Sequence, residues 1–166
     1  MEQLYWSKKL LGNELTIKRG QEEIGSIVWS NFISSRAQAT INGRHFSLNR
    51  EFMLPKLEIY DAGNQALLCS IIINVFNPRS DALINGKRFE LEIRNFWQSR
   101  WSWKFNDAEI ITYQSNEMLS HDKGQIEIFT TCNEEIEILL LMGLFIRNQF
   151  LLIILILAFL LLLIII

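Results

Sequence analysis

The sequence predicts a mainly β protein, an all-β barrel or sandwich carrying an apolar helical tail. Three observations lead there. Apolar and polar residues alternate with period two in short runs, and turn chemistry breaks those runs about every eight to twelve residues. After Thr131 the alternation stops, and a long apolar run begins that only a helix accommodates.

Taken in order, the alternating runs place strands at residues 4–10, 14–18, 24–29, 36–41, 44–49 and 56–60. Six more follow at 66–73, 79–84, 87–94, 101–105, 109–113 and 125–130. The clearest local signal is a repeat. ATINGRHFSL (39–48) returns as ALINGKRFEL (82–91), with Ala, Ile, Asn, Gly, Phe and Leu in register. Asn-Gly supplies the positive φ angles of a two-residue type I′ turn, whose twist matches the flanking strands, so each copy is a tight hairpin. Ala39, Ile41, Phe46 and Leu48 then share one buried face, as do Ala82, Ile84, Phe89 and Leu91. A duplicated meander unit explains the pair.

The 166 residues suit one domain with a modest core and an appendage. Lys and Arg number 16 against 18 Asp and Glu, a formal net charge of -2, so the bulk balance gives no reason to expect nucleic acid as a partner. Distribution says more. From Ile136 onward the only charged residues are Glu137 and Arg147, and positions 150–166 contain no polar side chain. Cys69 and Cys132 lie in apolar or strand-like surroundings without CxxC spacing and read as free thiols rather than a disulfide. The N-terminal MEQLYWSKKL has no apolar h-region, so a reducing compartment is expected for the domain.

Asn133 reads as a helix N-cap, followed by Glu134 and Glu135 in the first turn, where carboxylates complement the helix dipole. Around twelve strands with repeated hairpins, the YDAGNQALL type of turn and then CNEEIEILLLMGLFI together resemble the tubby C-terminal-like superfold. That superfold includes the LURP-one-related proteins and the phospholipid scramblases. The resemblance covers about residues 4–146. It implies an antiparallel barrel of about twelve strands closed around a hydrophobic C-terminal helix near 134–146. No phosphoinositide-binding or scramblase calcium motif is recognisable in the chain, so the resemblance carries the fold and not the activity.

Length arithmetic divides the tail. Six-residue strands make a barrel about 20 Å tall, whereas one helix over 134–166 would run about 50 Å. Residues 136–146 fit such a lumen at about 16 Å. Residues 150–166, at about 25 Å, sit at the low end of what spans a hydrocarbon core. The expected organisation is therefore a barrel with its central helix over 1–146, a polar junction at 147–149, and a transmembrane tail anchor over 150–166. In this reading Arg147 snorkels toward lipid phosphates. An interfacial or oligomer-packing helix is the competing reading of the tail. With no N-terminal signal, the domain is expected to stay cytoplasmic on a single-pass anchor.

Chemistry is sparse. Ser120-His121-Asp122 contains triad residue types, but neighbours on one short loop do not reach triad geometry, and a turn before Lys123-Gly124 is the simpler reading. His45 and His121 are the only histidines, with no Cys/His cluster and no Gly-rich phosphate loop, so neither a metal nor a cofactor is expected. FWQSRWSWKF (96–105) interleaves aromatic and basic residues as a nucleic-acid platform does. Core packing of Trp101, Trp103 and Phe105 on one strand face fits better, with Trp97 a candidate for a bilayer interface. If the repeated hairpins point the same way, Arg44, His45, Lys87 and Arg88 gather at one rim, where cations attract anionic headgroups. These four and Arg147 are the candidate headgroup-binding residues, membrane lipids the expected partners, and a protein partner the other. The expected function is a non-catalytic, membrane-anchored β-barrel module. A lipid-moving or ligand-carrying barrel, or an enzyme built on it, is the alternative, and an occupied lumen separates the two.

Overall fold

The computed structural model describes residues 1–51, 56–73, 79–94, 99–117 and 121–165. Twelve antiparallel strands form a closed barrel in simple chain order, β1 (Glu2–Lys9) to β12 (His121–Ile128), with one helix, α1 (Glu134–Ile165), after them. The first half comprises β2 (Glu14–Arg19), β3 (Glu22–Trp29), β4 (Arg36–Ile41), β5 (Arg44–Arg50) and β6 (Lys56–Asp61). The second comprises β7 (Leu67–Ile72), β8 (Arg79–Ile84), β9 (Lys87–Ile93), β10 (Arg100–Phe105) and β11 (Ala108–Glu117). Closure comes from β1 against β12, paired without a break from Glu2↔Ile128 to Lys9↔His121, so no strand edge is left open at that seam. The thinnest seam is β7 against β8, where only Ser70↔Leu83 and Ile71↔Ala82 pair among the described residues.

Both Asn-Gly turns have the predicted geometry. Asn42 and Gly43 sit at φ 47 and 78, and Asn85 and Gly86 at φ 50 and 76, which is the positive pair that a type I′ turn demands. All eight residues assigned to the hairpins' inner faces are buried. The fit is good because the period-two pattern and the turn type both fix register locally, and here they agree.

Two strands differ most from expectation: β11 runs on to Glu117 rather than ending at residue 113, and β12 begins earlier. β12 starts at His121 rather than Gln125, so His121, Asp122 and Lys123 are paired strand residues and not a turn. Ser120 lies outside the described residues, as does Trp97. Gly124, which suggested the turn, is there because a side chain has no room. A Cβ at that position would stand 2.1 Å from the Gln114 carbonyl oxygen and 2.3 Å from the Trp6 indole.

The lumen is filled by α1. Ile138 through Ile146, Gly143 apart, are each 1% exposed or less. They pack against inward-facing Trp6, Trp29, Trp101, Trp103, Tyr113 and Phe46. Phe145 stacks on Trp29 at 6.3 Å, and Trp101 stacks on Tyr113 at 4.8 Å with planes 4° apart. The Tyr113 hydroxyl donates to the Leu139 and Leu140 carbonyl oxygens at 3.1 and 3.2 Å. Gly143 permits that approach, since a Cβ there would lie 2.4 Å from the same hydroxyl. Burial holds the Tyr113 phenol well above its ordinary pKa, so it stays a donor. The tryptophans of WSWKF are therefore core.

Candidate functional site

Antiparallel strands in chain order alternate their connections between two ends, and the helix gives each end its character. At the hairpin end lie the β2–β3, β4–β5, β6–β7, β8–β9 and β10–β11 turns together with the first turn of α1. Asn133 caps the helix as predicted, its Oδ1 accepting from the Ile136 N–H at 3.1 Å. The repeated hairpins then grip the helix acids in parallel fashion. From the first copy, Asn42 donates to Glu137 at 2.6 Å, and Arg44 bridges Glu137 at 3.2 Å and Glu134 as well. From the second, Asn85 donates to Glu135 at 3.2 Å and Lys87 bridges the same carboxylate at 2.8 Å.

Four of the five predicted headgroup residues, Arg44, His45, Lys87 and Arg88, are thus brought to one end but do not form a free cationic ring, and Arg147 lies at the other end. Arg44 and Lys87 share the parity of the inward residues and turn toward the helix. His45 and Arg88, one residue on, face outward, with Arg88 paired to Asp81 and His45 exposed. Lys87 and Asn85 hold the Glu135 carboxyl below its usual range, the Lys87 contact counting most. The helix acids that cap the dipole therefore also lock the duplicated hairpins onto α1.

The other end, where the helix leaves, is different. Arg147, 1% exposed, does not snorkel to a headgroup. Its Nη2 donates to Asp122 Oδ1 at 3.1 Å and to the Ser115 hydroxyl at 3.2 Å, and its guanidinium lies over Trp101 at 5.4 Å. Lys8 joins this layer from β1, directly opposite Asp122 in register and 5.6 Å from the Trp29 ring. Burial lowers the Lys8 pKa, and the Asp122 charge opposes that shift. Asn148 and Gln149 are buried as well, and Leu151 and Leu152 remain 9% and 5% exposed. The polar triplet thus lies inside the lumen, Leu151 and Leu152 are the last buried residues of α1 among those described, and exposure begins at Ile156.

That layer was readable from parity. Lys8 shares the face of Leu4 and Trp6, Ser115 that of Ile111 and Tyr113, and Asp122 that of Ile126 and Ile128. Each is a polar residue at an inward position near the same end, which is what a buried Arg147 requires. The two cysteines are free, with Cys69 buried and its thiol pushed up to about 12 by desolvation.

Past the barrel mouth, Ile156 and residues 159–163 of α1 are 48% to 62% exposed with no polar face. Taken as a whole, with its luminal part included, α1 is the one helix among the described residues long and apolar enough to cross a membrane, over Glu134–Leu163. An antiparallel barrel threaded by its own C-terminal helix is the class of protein that these features define. No protein-family model, curated protein or solved structure matches the chain.

Proposed function

We propose that the protein is a non-catalytic, membrane-anchored β-barrel module of tubby-like type, held to the bilayer by the distal part of α1 and binding lipid headgroups or a protein partner at the membrane surface. The observation that carries this reading is the continuity of α1. One unbroken helix supplies the barrel's luminal core and then projects an all-apolar segment out of it. Such a segment is stable in hydrocarbon and not in water, because its exposed side chains would otherwise cost about 25 cal/mol per Å².

Occupation of the lumen by Ile138–Ile146 side chains favours this class over a ligand-carrying or lipid-moving barrel, which needs that space. The barrel's two ends then have separate tasks. The hairpin end points away from the helix exit, so exposed His45 and Arg88 are offered to a protein partner rather than to the anchoring bilayer. Fractionation tests the anchor. The full chain should resist extraction by alkaline carbonate, whereas a chain ending at Leu155 should be soluble and folded, since the luminal helix is retained. A full chain released by carbonate refutes the reading.

A further inference from the structure

We propose that the helix-exit end of the barrel is a seat for an anionic bilayer, in contact with the membrane rather than held off it on a stalk. This deepens the anchored-module reading and rests on it. Four observations support the seat.

The first is charge sorting. When each strand is divided at its midpoint, the exit half carries ten Lys and Arg against seven Asp and Glu. The hairpin half carries six against ten, with Glu90 at the midpoint. A chain of net charge -2 thus folds into a barrel with a positive end and a negative end.

The second is pairing. At the hairpin end, five of the six cations, Arg19, Arg44, Lys87, Arg88 and Lys104, are in ion pairs, and only Lys18 of the six is exposed without one among the described residues. At the exit end, Lys56, Arg79, Arg94 and Arg147 are paired, but Lys9, Arg36 and Arg100 are exposed and make no ion pair among the described residues. They stand on β1, β4 and β10, distributed around the mouth. Cations left in water near an anionic leaflet gain about 1 kcal/mol each.

The third is apolar exposure beside those cations. Leu11 in the β1–β2 connection is 64% exposed, and Phe32 and Ile33 in the β3–β4 connection are 42% and 56% exposed. Neither connection contains a charged residue. Large apolar side chains on loop tips beneath a row of cations match the boundary between acyl chains and headgroups.

The fourth is the absence of a spacer. Leu151 and Leu152 are still inside the mouth, and Leu152, Leu155 and Phe32 line one small recess there with Lys8 and Asn148. From Ile156 the helix is exposed and apolar, so hydrocarbon must begin within about one turn of the rim. Only a seated barrel satisfies that spacing. The same charge at the anchor's flank favours the cytoplasmic leaflet.

The test uses the full chain with Cys69→Ala and Cys132→Ser, reconstituted in vesicles of one part phosphatidylserine to two parts phosphatidylcholine. An environment-sensitive nitrobenzoxadiazole label is placed at Leu11→Cys, Ile33→Cys or, at the hairpin end, Glu22→Cys. The labels at 11 and 33 should emit to the blue and resist reduction by external dithionite, while the label at 22 emits as in water and is reduced. The added substitutions Lys9→Glu, Arg36→Glu and Arg100→Glu should weaken seating about fivefold per lost cation, read as renewed dithionite access at 33 with carbonate resistance unchanged. Equal access at 33 and 22 in a carbonate-resistant protein overturns the seat and leaves the anchor standing. Release by carbonate overturns both.

Discussion

The hairpin end and the exit end of this barrel both meet the same helix, yet they handle charge in opposite ways. At the hairpin end, Arg44 and Lys87 reach acids of the first helical turn while their own side chains stay 36% and 50% exposed, so water shares the cation of each pair. At the exit end, Arg147 and Asp122 have side chains 1% and 3% exposed, and aromatic rings take the place of water. The first arrangement tolerates loss of a partner because solvent replaces it. The second does not, since an ion left alone in a low-dielectric layer keeps its full desolvation penalty. One end is a clasp and the other a sealed polar plug.

The largest effect expected lies between the two ends. Leu140→Asp would place an uncompensated carboxylate at a 0% exposed luminal position, at a cost of several kcal/mol against a total stability of about 5–15 kcal/mol. Thermal unfolding should then show no cooperative transition in the variant. An unchanged melt would break the buried-helix arrangement and with it the contrast between the ends.

Next in size, Asp122→Ala should destabilise the barrel by about 3–5 kcal/mol, because Arg147 is left buried without its acid. Arg44→Ala, the matching deletion at the hairpin end, should cost about 1 kcal/mol or less. Denaturant midpoints compare the two directly, and equal losses would mean that the plug is no more sealed than the clasp. Gly86→Val should cost about 1–3 kcal/mol, since a β-branched residue is strained at φ 76. A variant as stable as the parent would show that the turn can leave type I′ geometry freely.

The smallest effect concerns acid. Lys87 and Asn85 hold Glu135 below the ordinary carboxylate value of about 4.3. Its stabilisation is therefore complete above that value and is lost as the pH falls through the lower, folded value. Glu135→Gln should cost a few tenths of a kcal/mol at neutral pH, and the difference from the parent should vanish in acid. Urea midpoints at several pH values between neutral and acid would check this, and a constant difference would assign the contribution to packing rather than charge.

Much of this was legible because it is local. Period-two alternation located all twelve strands, and Asn-Gly fixed two turns, since both depend only on residues adjacent in sequence. The start of β12 was misjudged because Gly124 resembles a turn signal, whereas its true constraint is the Trp6 ring from another strand. Arg147 was read as a headgroup ligand because its partners, Asp122 and Ser115, stand 25 and 32 residues away. Parity pointed to those partners as inward-facing, but parity acquires meaning only once an inside exists.

By itself, then, the sequence determined the elements, the hairpin registers, the helix cap and the apolar tail, each set by backbone sterics and hydrophobic period within a few residues. The tertiary structure decided which helix acid each hairpin holds, which layer buries Arg147, and which end of the barrel is positive. The reason is geometric. Consecutive antiparallel strands run in opposite directions, so cations as distant in sequence as Lys9, Arg36 and Arg100 come to one rim only when the chain has closed on itself.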